Sequence, residues 1–213
     1  MKKKILIFSA GSAGRDIFQL ISVINKFNEE WEVIGYVDSD PNKINKIVDD
    51  VQVYSNKNKP KNKDIYATCG VMDHIVRKKI FENEIKKNDY QLTNLFHPLS
   101  EKPKCLKIGM GNIIFKCHIN VGVTIKNFSL IHNFCNLGHN IIIGDYVTML
   151  ATITVGGHTE IGDNTFIASG VDINRGIKIG NNCKISIGSV IMNNIKSKTI
   201  VMDYPRRVTR KNK

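Results

Sequence analysis

Ile131-His132-Asn133-Phe134-Cys135-Asn136-Leu137-Gly138-His139-Asn140-Ile141-Ile142-Ile143-Gly144-Asp145 carries an aliphatic residue at 131, at 137 and at 143. A step of six matches neither the 3.6-residue period of a helix nor the two-residue period of a strand. Followed outward, the step holds without a break over Ile113, Ile119, Ile125, Ile131, Leu137, Ile143, Met149, Val155, Ile161, Ile167, Ile173, Ile179, Ile185 and Ile191. That period marks a hexapeptide-repeat parallel β-helix, with one short strand per aliphatic residue and three strands to a triangular coil. Positions 18 apart then stack. A second register lies four residues after each ladder position, from Cys117 and Val123 through Ile141 and Val147 to Ser189 and Ile195. Most of its members are small or β-branched, as a crowded prism interior requires. Gly144-Asp145, Gly162-Asp163-Asn164 and Gly180-Asn181-Asn182 supply the turns. Burying one ladder side chain gains roughly 1.5–3 kcal/mol, so the stack forms a core without a helix. An Ile-rich β-sandwich is the alternative, and the unbroken step argues against it.

The chain has 213 residues, enough for two small domains. The reading places an α/β domain at residues 1–98 and the β-helix, with a basic tail, at 99–213. No apolar run reaches the ~18 residues of a membrane span. Met1-Lys2-Lys3-Lys4-Ile5-Leu6-Ile7-Phe8 has a basic start but no cleavage pattern, and reads as a first strand. A cytoplasmic location is expected. Five cysteines form no CxxC motif, and three of them (Cys117, Cys135, Cys183) fall in the small-residue register. They read as reduced core thiols, and no metal site is expected. The net charge of +12 comes from scattered lysines interleaved with asparagine. That spread favours anionic small molecules over nucleic acid. The densest basic cluster is Arg206-Arg207-Val208-Thr209-Arg210-Lys211, which could reach a phosphate or simply be solvated.

The first half reads as a βαβ unit. Ile5–Phe8 is a buried strand, Ser9-Ala10-Gly11-Ser12-Ala13-Gly14 a small-residue loop, and Arg15 to about Lys26 a helix with Ile17, Leu20, Ile21 and Ile24 at helical spacing. Val33–Val37 follows as a strand ending at Asp38. The loop can present backbone N–H groups to an anion, and Asp38 can accept ribose or base hydrogen bonds. A tight strand-to-helix turn is the plainer reading of the same loop. Further on come a third strand at Ile65–Thr68, Gly70, a basic amphipathic helix from Met72 to Lys87, and a strand at Gln91–Phe96. Three or four parallel strands make a small Rossmann-like domain.

The combination of Ser9-Ala10-Gly11-Ser12-Ala13-Gly14-Arg15, Gly35-Tyr36-Val37-Asp38-Ser39-Asp40, Gly70, His97-Pro98 and Leu137-Gly138-His139-Asn140-Ile141-Ile142-Ile143-Gly144-Asp145 resembles the sugar O-acyltransferase family. This is the sialic-acid O-acetyltransferase-like group, which includes bacterial N-acetyltransferases of nucleotide-linked amino sugars. The resemblance spans nearly the whole chain. It implies a left-handed coil, acetyl-CoA as co-substrate, and a homotrimer with active sites between adjacent β-helices. By position it implies that Gly11, Ser12, Ala13, Asp38, Ser39 and Gly70 contact the nucleotide. His139 would be the general base with Asn140 beside it, and Thr148, Gly156, Gly157 and Ser169 would line the acetyl-CoA groove.

A neutral imidazole can take the proton that an amine loses as it attacks a thioester, and a backbone N–H near Gly156-Gly157 could hold the oxyanion. The chain departs from the family pattern in several places. Asn140 stands where relatives carry an acid, so the base lacks a negative partner unless Asp145 or another chain supplies one. His132 replaces a family Asn, Thr148 replaces a His, and Asp203-Tyr204-Pro205-Arg206 replaces a Gly-x-Pro-Ala-Lys-like turn. His132 and His158 are further candidates for proton transfer, and His158 should stack on Asn140. The expected function is N-acetylation of a nucleotide-linked amino sugar in surface-glycan or lipopolysaccharide precursor synthesis. O-acetylation of a sialic-acid-like sugar and a non-catalytic nucleotide-sugar-binding homologue are the alternatives.

Overall fold

The computed structural model describes residues 2–202. The basic cluster from Arg206 and the Asp203–Arg206 segment lie outside the described residues. The chain begins with strand β1 (Lys3–Phe8), helix α1 (Ser12–Phe27) and strand β2 (Trp31–Val37). Gly14, Ile17, Leu20, Ile21 and Ile24 form the buried stripe of α1, the i, i+3, i+4, i+7 pattern that seats a helix on a sheet. A hairpin follows, β3 (Ile47–Val48) and β4 (Val51–Tyr54), then β5 (Tyr66–Cys69), helix α2 (His74–Ile80) and β6 (Gln91–Leu92). The sheet order is β3-β4-β2-β1-β5-β6, parallel except for the β3–β4 pair. The expected strand count was too low because the hairpin was not anticipated.

Two other elements differ from expectation. The helix expected over Met72–Lys87 is α-helical only to Ile80, then widens into a π turn (Phe81–Ile85) and tightens into a 3₁₀ turn (Lys86–Asn88). Asp73 starts it, its carboxylate accepting from the N–H groups of Ile75 and Val76. The strand expected at Gln91–Phe96 is split. Gln91–Leu92 pairs with β5, whereas Leu95–Phe96 pairs with Ile113–Ile114 and begins the solenoid.

From Leu95 to Val201 the described residues form a parallel β-solenoid of two-residue strands in three sheets of seven, five and five strands. One coil shows the pattern. Leu130–Ile131 lies on the seven-stranded face I, Asn136–Leu137 on face II and Ile142–Ile143 on face III, after which Thr148–Met149 returns to face I. Successive coils are tied by backbone bonds such as Leu130 N–H to Val147 O (2.9 Å) and Thr148 N–H to Thr165 O (2.9 Å). Ladder residues from Ile119 to Ile191 are buried, and so is the second register from Cys117 to Ser189. The five cysteines are free, and only Cys105 is exposed.

The first rung of the ladder needs correction. Ile114, not Ile113, pairs with Ile131 and joins the solenoid core. The coil is one residue short between Ile114 and Ile119, so Ile113 pairs with Leu130 and turns outward into the core of the α/β region. Face I therefore carries that region. Leu95, Ile113, Phe115 and Leu130 share a core with Ile17, Leu20, Ile21 and Ile24 of α1. Beside them Phe81 packs on Phe128 (4.7 Å between ring centroids), and Phe128 stacks on Tyr146 (4.8 Å).

Candidate functional site

The N-terminal site residues gather at the carboxyl ends of β1, β2 and β5. In open α/β sheets ligands bind there, where the strand order reverses; here β1 has β2 on one side and β5 on the other. Gly14 is required by packing, since a Cβ there would meet the Ser9 carbonyl oxygen at 1.9 Å. Gly70 lies against the Gly14 backbone, where a Cβ would come within 2.4 Å of the Gly14 Cα. Gly70 is buried and shapes the loop from behind; Ser12 and Ser39 are exposed, and Gly11, Ala13 and Asp38 are half-buried. The cap residue Gly11 has no side chain to satisfy the first N–H groups of α1, leaving them to an external acceptor.

Asp38 braces this loop. Its carboxylate accepts from the N–H of Ala10 (2.7 Å) and of Asp40 (2.9 Å), with the Lys43 ammonium 3.6 Å away. Burial works against its ionisation, but those N–H groups and Lys43 outweigh it and hold the carboxyl below the usual range. A crevice of about 250 Å³ opens beside it, lined by Ser9, Asp38, Ser39, Asn56 and Val76 among others. Arg15 does not face this crevice freely, because its guanidinium clasps Asp49 (Nε to Oδ2 3.0 Å, Nη2 to Oδ1 2.9 Å).

His139 and Asn140 sit on the corner between faces II and III, and both are exposed. Gly157 stacks on His139; a Cβ on Gly157 would come 3.2 Å from the His139 carbonyl oxygen and 3.6 Å from its imidazole Cδ2. His158 N–H donates to that same carbonyl (2.8 Å), so His158 lies one coil along the same corner, as does Arg175 a coil further. Gly156 cannot be an oxyanion donor, because its N–H is spent on Ile173 O (2.8 Å). The Gly157 N–H has no partner among the described residues.

Three expectations change. Thr148 is fully buried under the α/β region, its hydroxyl donating to Met72 O (3.0 Å), so it lines no open groove. Asp145 cannot assist His139 of its own chain, for it lies on the III/I corner. There its carboxylate caps the N–H (2.8 Å) and side-chain amide (2.9 Å) of Asn127. It belongs to a ladder in which Asp163 caps Asp145 and Asn181 caps Asp163. Ser169 sits on the I/II corner, away from Gly156 and Gly157. The same corner carries His132, whose imidazole stacks on Phe115 (4.5 Å) and faces Asp16.

Face I holds the α/β region, and the II/III corner is the one corner of a triangular prism that face I does not touch. Within one chain, the Asp38 crevice and His139 are therefore on opposite sides of the solenoid. Among the described residues the carboxylates paired with a histidine are Glu101, beside His118, and Asp16, beside His132; none pairs with His139. No group of His, Cys, Asp and Glu among them could hold a metal ion, and no helix is long and apolar enough to cross a membrane.

The solenoid and its N-terminal α/β region define the class of architecture. Residues 158–193 match the family model described as bacterial transferase hexapeptide (six repeats). No curated protein matches the chain. Among solved structures, the acetyltransferase domain of PglB from Neisseria gonorrhoeae FA1090 is similar over 93% of this chain and 96% of that one, with a TM-score of 0.81 at 19% identity. PerB from Caulobacter crescentus, in complex with CoA and GDP-perosamine, is similar over 92% of each chain (TM-score 0.82, 17% identity). WeeI from Acinetobacter baumannii AYE is similar over 96% of this chain and 99% of that one (TM-score 0.64, 18% identity). At these identities the likeness establishes the fold.

Proposed function

We propose that the protein is an acetyl-CoA-dependent N-acetyltransferase acting on a nucleotide-linked amino sugar, in the synthesis of a surface-glycan or lipopolysaccharide precursor. The observation that carries this reading is the division of parts. A crevice with an aspartate and open helix N–H groups suits a nucleotide diphosphate, and an exposed imidazole beside stacked glycines suits proton transfer. They lie on opposite sides of one chain, so a second copy must complete the site. Parallel solenoids packed side by side as a homotrimer would do this. The reading takes the coil as left-handed, the N-terminal region as Rossmann-like and the protein as cytoplasmic. It is supported by the fold shared with PglB, solved with acetyl coenzyme A, and with PerB, solved with CoA and GDP-perosamine.

In this reading Ser12 and Ala13 offer N–H groups to the diphosphate, Gly11, whose own N–H donates to the Ser9 hydroxyl (3.2 Å), leaves room for it, and Asp38 and Ser39 hold the nucleoside. Gly156 and Gly157 line the groove for acetyl-CoA, which brings an already activated thioester. The Gly157 N–H is free to meet the oxyanion. His139 takes the proton released as the amine attacks the thioester carbonyl, and the thiolate leaves. No carboxylate of the same chain pairs with His139 among the described residues. A neutral amine needs less base help than an alcohol, which favours N- over O-transfer.

The test is thiol release from acetyl-CoA in the presence of nucleotide-linked amino sugars. His139→Ala should lower kcat by about 10²–10⁴ with the oligomeric mass unchanged. Full activity in that variant would sink the assignment.

A further inference from the structure

We propose that the cleft between α1 and the I/II corner of the solenoid receives the pyranose ring of the acceptor, and that His132 and Asp16 together grip one hydroxyl or amino group of that ring. The proposal rests on the acceptor reading above and names where its sugar lies. The cavity measures about 210 Å³ and is lined by Asp16, Gln19, Leu20 and Val23 along one flank of α1 and by Phe115 and His132 across from it. It is too small for a whole nucleotide-sugar, since drug-sized ligands take ~300–1,000 Å³. It offers what one sugar ring needs: an apolar wall for C–H groups and a carboxylate, an amide and an imidazole for polar ones.

Its position follows the same helix. Ser9 lines the Asp38 crevice, and α1 starts three residues later. Asp16 lies four residues beyond Ser12, about 6 Å along the helix axis. A diphosphate at the helix start, with its nucleoside toward Asp38, would deliver its sugar along this flank.

The geometry of the pair points to a bridged group. His132 Nε2 and Asp16 Oδ2 are 3.9 Å apart, too far for a direct hydrogen bond. An atom about 2.8 Å from each would see them at roughly 90°, a usable angle for a hydroxyl or amine that accepts from Nε2–H and donates to the carboxylate. The proton belongs on Nε2, because Nδ1 is buried with no partner, and an orphaned lone pair is more tolerable than an orphaned N–H. Burial lowers the His132 pKa, opposed in part by Asp16, so the ring stays neutral. Phe115 beneath it fixes the plane of the imidazole.

The experiment is calorimetry on the full chain without acetyl-CoA, comparing GDP-perosamine with GDP and a UDP-linked amino hexose with UDP. In the wild type the sugar should add affinity for at least one pair. Asp16→Asn and His132→Phe, which keeps the stack on Phe115, should each lose tenfold or more of that added affinity and bind GDP and UDP unchanged. Variants that keep the added affinity, or that weaken the bare nucleotide equally, overturn the proposal, as does a wild type that gains nothing from either sugar. Turnover separates the two readings. An inert protein whose added affinity still vanishes in Asp16→Asn loses the transferase assignment and keeps the cleft. A turnover whose acceptor KM is unmoved by Asp16→Asn loses the cleft and keeps the assignment.

Discussion

Replacing Arg77 by Met should loosen the α/β region from the solenoid while leaving the solenoid folded. Arg77 is fully buried, and no carboxylate among the described residues pairs with it. Its guanidinium donates to Val71 O (2.8 Å) and Met72 O (3.2 Å) on its own side, and to Phe128 O (3.3 Å), Tyr146 O (3.4 Å) and Val147 O (3.2 Å) on the solenoid. Burial lowers its pKa to about 10, so it is charged at neutral pH. Replacing a buried ion pair by apolar residues is often harmless because both charges go. Here the acceptors are main-chain carbonyls that no substitution removes. Bonds to a charged donor contribute about 1.5–3 kcal/mol each. Three of these cross to the solenoid, two of them long, and the recovered desolvation of the cation offsets part of the loss. A net cost of about 2–4 kcal/mol is the result. The assay is denaturant unfolding followed by Trp31 fluorescence, which reports the α/β region, alongside amide hydrogen exchange of ladder residues such as Ile143 and Ile161 at the same denaturant concentrations, which reports the solenoid. Coincident wild-type transitions should separate in Arg77→Met, with the fluorescence transition moving to lower denaturant. A variant with unmoved, superimposable transitions would refute the argument that these carbonyls depend on Arg77.

Two further outcomes are expected. Asp49 takes Arg15 in a two-pronged contact and the Tyr36 hydroxyl at 2.7 Å, and chiefly the Arg15 bond holds its carboxyl below the usual range. A depressed carboxylate stabilises above its unfolded pKa of about 3.9 and loses that stability as pH falls through the folded value. The melting temperature of Asp49→Asn should therefore fall less steeply than the wild type's below about pH 4; parallel acid limbs would count against the linkage. Thr152 is β-branched at φ +59° and exposed, its hydroxyl bound only to the adjacent Ala151 carbonyl. Thr152→Asn should raise stability by about 1 kcal/mol, and a lowered melting temperature would show that the strain is compensated.

What could be read from the residues followed from which physical constraint shaped them. The six-step ladder is a direct imprint of burial, so faces and corners were legible down to the stacking of His158 over Asn140. The slip at Ile113 was not, because Ile113-Ile114 offers two aliphatic residues and only the docked α1 decides which points inward. The β3–β4 hairpin did leave a signal. Asp49-Asp50 separates Ile47-Val48 from Val51-Gln52-Val53-Tyr54, and both aspartates adopt positive φ (48° and 63°), the conformation of a two-residue hairpin turn. Thr148 and Asp145 were misplaced for a different reason. Register gives the corner or face of a residue but not what is packed against it, and face I is covered by a region that no repeat encodes. The His132–Asp16 pair is a product of that docking and has no local signature.

The corners carry one more regularity. Every sixth residue from 122 to 188 has positive φ: Gly122, Phe128, Phe134, Asn140, Tyr146, Thr152, His158, Asn164, Gly170, Gly176, Asn182 and Gly188. Glycine and asparagine take that conformation readily, whereas aromatic and β-branched residues do so at a cost of order 1–3 kcal/mol. On the III/I corner the costly residues are Phe128 and Tyr146, and the strain is offset because both rings are buried against Phe81 and the α/β region. On the I/II corner Phe134 is 65% exposed and Thr152 is exposed as well, whereas the II/III corner carries Gly122, Asn140, His158 and Gly176, residue types that take positive φ at little cost. Nothing within the described chain compensates Phe134 and Thr152. The I/II corner also carries His132, stacked on Phe115. Packing thus repays the strain on the covered corner and leaves it unrepaid at Phe134 and Thr152 on the I/II corner.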